Sequence, residues 1–211
     1  MLIFDHFLPL LTNPNNFLNL NFTPEIVLAA YSQGIFPMGH AGGQIAWYSP
    51  DPRCIIDLQN FHVSRRLART YRQNKFELKV NSAFDQVIRI CARTEAEGIW
   101  ITDDIVRVYT QLHERGFAHS VEAYKDGKLA GGLYGISLGG AFMGESMFHI
   151  ERDASKICLM YLVERLRERN FVLLDSQYMT THLSTFNAIS ISRAEYLIRL
   201  EQALKLSPEF V

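Results

Sequence analysis

The sequence predicts an α+β protein built on one mixed sheet, and three observations carry that prediction. Hydrophobic residues fill 48% of the 211 positions and charged residues 20%, the balance of a chain that folds around a sizeable core. From residue 117 onward the apolar residues switch between alternation and a helical repeat and back, the pattern of strands interleaved with helices. Turn signals separate these pieces. Asp126-Gly127 is a strong hairpin signature, and Leu138-Gly139-Gly140 follows it.

The elements follow in order. Thr23-Pro24-Glu25 predicts a helix start with a capping Thr, a first-turn Pro and an acid at the positive end, and Gly34 predicts its stop. Residues 34–53 are rich in Gly, Pro and aromatics and predict a long ordered loop. A short strand is expected over 54–58 and a helix over 62–74. In that helix Arg65, Arg69 and Arg72 share one face, with Val63, Leu67 and Tyr71 opposite. Phe76, Leu78 and Val80 alternate as a strand. Ser82 with Asp85 is a capping-box variant for a helix over 83–93. Residues 100–104 open another helix, with Ile105, Tyr109 and Leu112 on its core face and Gly116 at its end. Strands over 119–124, 129–137 and 141–149 come next, then a helix over 154–169, a buried strand over 171–177, and a helix over 193–205 behind the capping box Ser192-x-x-Glu195. Strand, strand, strand, helix, strand, helix is the order of the GNAT acyltransferase core. The expected fold is therefore a GNAT-like mixed sheet with helices as the catalytic domain, over 62–211, plus a smaller N-terminal α/β domain over 1–61.

Composition narrows the function classes. No uncharged apolar run approaches the roughly 18 residues of a membrane span. The start MLIFDHFLPLL has no basic segment and runs into Asn-Pro-Asn-Asn, so no signal peptide is expected. Cys54, Cys91 and Cys158 are far apart and odd in number, which suits reduced thiols in the cytoplasm. A net charge of −1 argues against a bulk nucleic-acid binder, yet Arg65, Arg66, Arg69, Arg72 and Lys75 form an acid-free run. That run is either a small phosphate footprint or a solvated helix face.

Three further groups have the residue types for chemistry. Glu145 lies on a strand where alternation places Met143, Glu145 and Met147 on one face and Phe142, Ser146 and Phe148 on the other. A carboxylate among methionines must be paired, as part of a site or of a structural network. Asp175 and Gln177 are two apart on a strand and leave the same face, where Asp175 can accept an amide N–H of Gln177; the bland reading is a strand end turning polar. Trp47 and Tyr48 are either a stacking platform or core. No P-loop, nucleophile elbow or His-Glu-x-x-His pair occurs, so no ordinary ATPase, serine-hydrolase or zinc site is expected. Cys158 sits in an apolar helix stretch and reads as core. An acetyltransferase needs a glycine-rich phosphate loop at residues 151–156, but these read Glu-Arg-Asp-Ala-Ser-Lys. The acyl donor is then expected to be something other than acetyl-CoA.

Nine stretches taken together resemble the bacterial leucyl/phenylalanyl-tRNA–protein transferases. They are Gly34-Ile35-Phe36-Pro37, Trp47-Tyr48-Ser49-Pro50-Asp51-Pro52-Arg53, Trp100-Ile101-Thr102, His119-Ser120-Val121-Glu122, Gly131-Gly132-Leu133-Tyr134-Gly135, Gly144-Glu145-Ser146-Met147-Phe148, Ala154-Ser155-Lys156, Leu174-Asp175-Ser176-Gln177 and Ile191-Ser192-Arg193. They keep the family's order over about residues 24–200. The resemblance implies transfer of Leu or Phe, less readily Met, from aminoacyl-tRNA to the N-terminal α-amine of proteins beginning with Arg or Lys, which marks them for degradation. It implies no metal, ATP or CoA, no membrane, and a cytoplasmic protein; a monomer is expected. It assigns Gln177 to the attacking amine, Asp175 to orienting the Gln177 amide, and Glu145 to the acceptor's cationic side chain or ammonium group. Leu133, Phe142, Met147, Leu159 and Leu174 would form the Leu/Phe pocket. Trp47, Tyr48, Trp100, Ser155 and His182 would also contact substrate, and Arg65, Arg66, Arg69 and Arg72 the tRNA. Two positions depart from the family pattern. Tyr48 replaces a second Trp, and Phe186-Asn187 replaces Leu-Gly, where Asn is the residue best able to keep a positive φ. The rival readings are a GNAT-fold N-acetyltransferase using acetyl-CoA and a non-enzymatic RNA-binding protein.

Overall fold

A computed structural model describes residues 21–40, 42–94 and 100–211; the expectation about the N-terminal leader lies outside them. Helix α1 (Pro24–Tyr31) starts where Thr23 accepts the Ile26 N–H, and it ends before Gly34, which has φ of +73°. The predicted loop over 34–53 is largely a hairpin instead: β1 (Phe36–Gly39) pairs antiparallel with β2 (Ile45–Tyr48), Phe36 opposite Tyr48. Four-residue strands broken by Pro37 and Gly39 are too short to show alternation.

The remaining strands form one sheet of seven, in the order β4-β5-β6-β7-β8-β3-β9. They are β3 (Arg53–Ile56), β4 (Glu77–Val80), β5 (Ala118–Lys125), β6 (Lys128–Leu138), β7 (Ala141–His149), β8 (Leu173–Gln177) and β9 (Ala188–Ile191). The only parallel pair among these is β7 with β8, joined by helix α5 (Ala154–Glu168). Strand β3 lies upstream of residue 61 yet sits inside this sheet, between β8 and β9. One sheet face packs on α1, α3 (Phe84–Thr94), α4 (Asp103–Glu114) and α7 (Arg193–Leu204). The other packs on α5 and, through Leu67, on α2 (Arg65–Arg72). The short helix α6 (Thr181–Ser184) and β9 were not predicted, because four residues give no readable period.

Two local expectations change. Ser82 and Asp85 do not form a capping box. Asp85 pairs with Arg89, while the fully buried Glu122 on β5 accepts from the Ser82 N–H and hydroxyl, the Ala83 N–H and the Ser120 hydroxyl. A carboxylate from the neighbouring sheet thus satisfies the start of α3. The expected alternation along β7 is also broken. Gly135 pairs with Gly144 and Tyr134 with Ser146, so Glu145 is an extra, bulged residue. Met143 and Phe148 therefore share one core, and Phe142 and Met147 the other.

Glu122→Ala leaves two backbone N–H groups and two hydroxyls without their acceptor, and is expected to lower stability by about 3 kcal/mol. Urea denaturation checks this; a loss under about 1 kcal/mol would show that α3 starts without it.

Candidate active site

The parallel pairing of β7 and β8 runs Ala141–Leu173, Phe142–Leu174, Met143–Asp175 and stops there. Past that point β7 bulges at Glu145, and β8 ends at Gln177 in a left-handed conformation, φ +57°. A cleft of about 1670 Å³ opens between the two strand ends. Its floor is apolar, with Leu133, Met147, Leu159, Leu162 and Leu174. Glu145 and Gln177 form its polar wall, with Asp175 directly behind them. Phe36, Met38 and His40 of the hairpin stand with Trp100 on one side, and Arg66, Asp153, Ser155, Lys156 and His182 on the other.

Behind the wall lies a buried ion pair. Asp175 is 0% exposed and Arg53 1%. The Arg53 Nε donates to one Asp175 oxygen at 2.9 Å and a terminal nitrogen to the other at 2.6 Å. The same carboxylate accepts from the Tyr196 hydroxyl at 2.9 Å and from the Gln177 backbone N–H at 3.0 Å. Arg53 also donates to the Gly34 carbonyl, and its guanidinium lies over the rings of Phe36 and Tyr196. Burial works against the Arg53 charge, but Asp175 outweighs it and raises the guanidinium pKa. The expected contact from Asp175 to the Gln177 side-chain amide is thus replaced. Asp175 is saturated by Arg53, Tyr196 and main chain, and it holds the backbone of Gln177 rather than its amide.

The Gln177 amide turns to Glu145, donating from Nε2 to Oε1 at 3.4 Å. Glu145 keeps some surface on the cleft, and its carboxyl lies beside the hydroxyl pair of Tyr31 and Tyr109, which are 2.6 Å apart; one of them donates to the other, which leaves one hydroxyl proton for the carboxyl. Burial pushes the Glu145 pKa up to about 8, against the pull of the Tyr31 hydrogen bond; Asp175 adds to the rise and Arg53 opposes it. Burial and the nearby Glu145 charge keep both tyrosines protonated, with pKa values raised well above normal.

The other predicted residues divide. Trp100, Leu133, Met147, Ser155, Leu159, Leu174 and His182 line the cleft. Phe142 is 0% exposed and lies in the core beneath, stacked on Phe210. Trp47, 8% exposed, packs against Phe22 rather than lining the cleft. Tyr48 backs the hairpin, stacking on Phe36 and bonding to His40. Register explains Trp47, which lies opposite Pro37 and so on the other face from Phe36 and Met38; Tyr48, opposite Phe36, shares their face but stands behind the Phe36 ring, so β1 rather than β2 supplies the wall. Arg65, Arg69 and Arg72 stay exposed outside the cleft, whereas Arg66 reaches into its rim and is bound bidentately to Asp153. Asn187 keeps its positive φ of +60°, and Phe186 is buried, stacked on Phe61 and clear of the cleft. The sequence reading missed Arg53, Tyr31 and Tyr109. Arg53 closes the motif that begins at Trp47, while the tyrosines occupy ordinary helix core positions. Among the described residues, no three His, Cys, Asp or Glu side chains converge as a metal site.

Two family models cover this arrangement. One, leucyl/phenylalanyl-tRNA protein transferase, matches residues 55–201; the other, the N-terminal domain of the same transferase, matches residues 21–51. The chain belongs to the leucyl/phenylalanyl-tRNA–protein transferase family. It is 49% identical to the leucyl/phenylalanyl-tRNA–protein transferase of Rubrobacter xylanophilus over 192 residues, covering 90% of this chain and 100% of that one. It is 50% identical to that of Gloeobacter violaceus over 192 residues, covering 90% and 98%. The enzyme is an aminoacyltransferase. Among solved structures it is similar to L-PGS from Bacillus licheniformis, at 10% identity over 73% of this chain and 65% of that chain, TM-score 0.44. It is also similar to a ribosomal-protein-alanine N-acetyltransferase from Brucella melitensis, at 14% identity over 52% and 84%, TM-score 0.38. No helix among the described residues is long and apolar enough to cross a membrane.

Arg53→Met strands the Asp175 carboxylate in the core and is expected to lower stability by about 3–5 kcal/mol. Adding Asp175→Asn should recover part of that loss in urea denaturation; strict additivity would mean the two side chains are not coupled.

Glu145 gives stability a pH dependence of known sign. Its folded pKa is raised from 4.5 to about 8, so between these values the folded protein retains a proton that the unfolded chain releases. That contribution is full below the lower value and is lost as pH rises through the upper one. Glu145→Gln cannot ionise, so its urea midpoints at about pH 5 and about pH 8 should differ less than those of wild type. An unchanged difference would remove Glu145 as its source.

Proposed function

We propose that the enzyme transfers leucine or phenylalanine, and less readily methionine, from aminoacyl-tRNA to the N-terminal α-amine of proteins beginning with Arg or Lys, marking them for degradation in the cytoplasm. The observation that carries this reading is the Glu145–Gln177 pair at the end of an apolar-floored cleft. A cleft of about 1670 Å³ exceeds the roughly 300–1,000 Å³ of an ordinary ligand pocket. It has room for an aminoacyl-adenosine end and a peptide N-terminus together. The floor of Leu133, Met147, Leu159 and Leu174 suits a Leu or Phe side chain, which binds by apolar burial.

The reaction is aminolysis of an ester. The neutral amine attacks the acyl carbon, the new C–N bond forms, and the bond to the tRNA 3′-oxygen breaks; that oxygen leaves with the proton the nitrogen sheds. Gln177 is a poor base, and its part is to position. With its amide N–H engaged by Glu145, its oxygen accepts from the amine. Asp175 fixes the backbone beneath it. The arriving cation of the acceptor favours the ionised form of Glu145 and pulls its raised pKa down. An α-amine titrates at roughly 7.7–8.0, so both partners are poised in the same pH range. Outside the cleft, the exposed Arg65, Arg69 and Arg72 suit acceptor-stem phosphates. The described segment before β3, α1 with the β1–β2 hairpin, helps to hold the tRNA end. The acetyl-CoA alternative is disfavoured, since the start of α5 carries Arg152-Asp153 with Asp153 tied to Arg66, and no glycine loop.

The deciding assay follows labelled Phe from charged tRNA to peptides starting with Arg, Lys or Ala. Transfer to the first two alone is expected; equal transfer to all three would refute the acceptor assignment. Gln177→Ala should lower kcat about 100-fold while binding of Phe-tRNA is kept, because its contact forms chiefly during attack. Normal turnover with weakened tRNA binding would sink that role.

A further inference from the structure

Gly144 lines the cleft directly between Met143, the last β7 residue paired with β8, and the bulged Glu145. Nothing in the fold requires a glycine there. Its φ lies outside the left-handed range, and a Cβ built on it would meet only the Asp175 carbonyl oxygen, at 3.6 Å, an ordinary contact. Other glycines of the same sheet are different. A Cβ at Gly135 would lie 2.3 Å from the Met143 carbonyl oxygen, and one at Gly131 2.6 Å from the Ala154 Cβ. Those two are glycine because neighbouring protein atoms occupy the space. Glycine inside a strand also weakens it, and often marks a place where a ligand approaches the main chain.

A side chain at 144 would enter the cleft one residue past the point where β7 loses its β8 partner, with the Asp175 carbonyl oxygen its one close protein neighbour. We propose that Gly144 is a positioning residue whose missing side chain lets the reacting ester of the aminoacyl-tRNA, its carbonyl and attached ribose oxygen, lie against the bare main chain of β7. The proposal rests on the transfer reading above. It assigns the bare strand segment to the ester and leaves the floor of the cleft to the amino-acid side chain. A methyl group at 144 displaces the ester by about 1 Å or more, and a misplacement of that size lowers the rate about 100-fold.

The test compares wild type, Gly144→Ala, Gly144→Val and Gly135→Ala by urea denaturation and by Leu and Phe transfer. Gly144→Ala is expected to keep the wild-type urea midpoint and lose about 100-fold in kcat. Gly144→Val should lose more. The ratio of Leu to Phe transfer should stay the same in Gly144→Ala, because the floor is untouched. Gly135→Ala should unfold at lower urea. Wild-type kcat in Gly144→Ala overturns the proposal while leaving the transfer reading in place. A lowered urea midpoint in Gly144→Ala also overturns it, by making the glycine a requirement of the fold. A changed Leu/Phe ratio overturns it too, since it would place residue 144 in the side-chain pocket. A wild-type chain that transfers nothing removes both the proposal and the reading beneath it.

Discussion

The bidentate pair between Arg53 and Asp175 is the constraint on which the cleft depends. Two opposite charges with essentially no exposed surface are stable only as a fully satisfied set. The set draws in the Gly34 carbonyl, the Tyr196 hydroxyl and the Gln177 main chain. It thereby joins the end of α1, the neighbouring strands β3 and β8, and α7 at one point. Gln177 takes its left-handed turn directly against this pair, so the geometry of the polar wall is set by a core interaction rather than by the exposed surface.

The second determinant is the way a regular sheet is interrupted. Parallel pairing ends at Met143 and Asp175, and the extra residue in β7 puts a carboxyl where continued pairing would have put main chain. Both changes act at the same level of the sheet. One removes a neighbour and the other turns a side chain into the gap. The Tyr31–Tyr109 hydroxyl pair then offsets part of the burial that raises the pKa of this carboxyl. Glu145 and Asp175 are carboxyls on adjacent strands, one at the cleft wall and one behind it, and their environments differ. Asp175 has a permanent cation, while Glu145 has only neutral donors and is left to meet a charge from outside. Environments that separate two nearby carboxyls in this way are a usual means of giving them different tasks.

Some of this was determined by the sequence alone. The long elements were legible because local rules decide them. Ser192 caps α7 through the Glu195 N–H, Gly34 and Gly116 end their helices, and Asp126-Gly127 turns the β5–β6 hairpin. The order of elements and the ordered motifs were enough to name the family, and Glu145, Asp175 and Gln177 were recognised as polar residues on otherwise apolar strands. Only the tertiary structure decided how they connect. The phase of β7 turns on a bulge that pairing with β6 imposes, and no alternation count reveals it. Arg53 and Asp175 are 122 positions apart, as a buried pair brought together by adjacent strands can be. The choice between Trp47 and the β1 residues as cleft wall depended on which side of a four-residue hairpin faces the sheet. Local backbone preferences act over a few residues and can be read from the chain. Burial, register and charge pairing act between distant residues, and they exist only once the sheet has assembled.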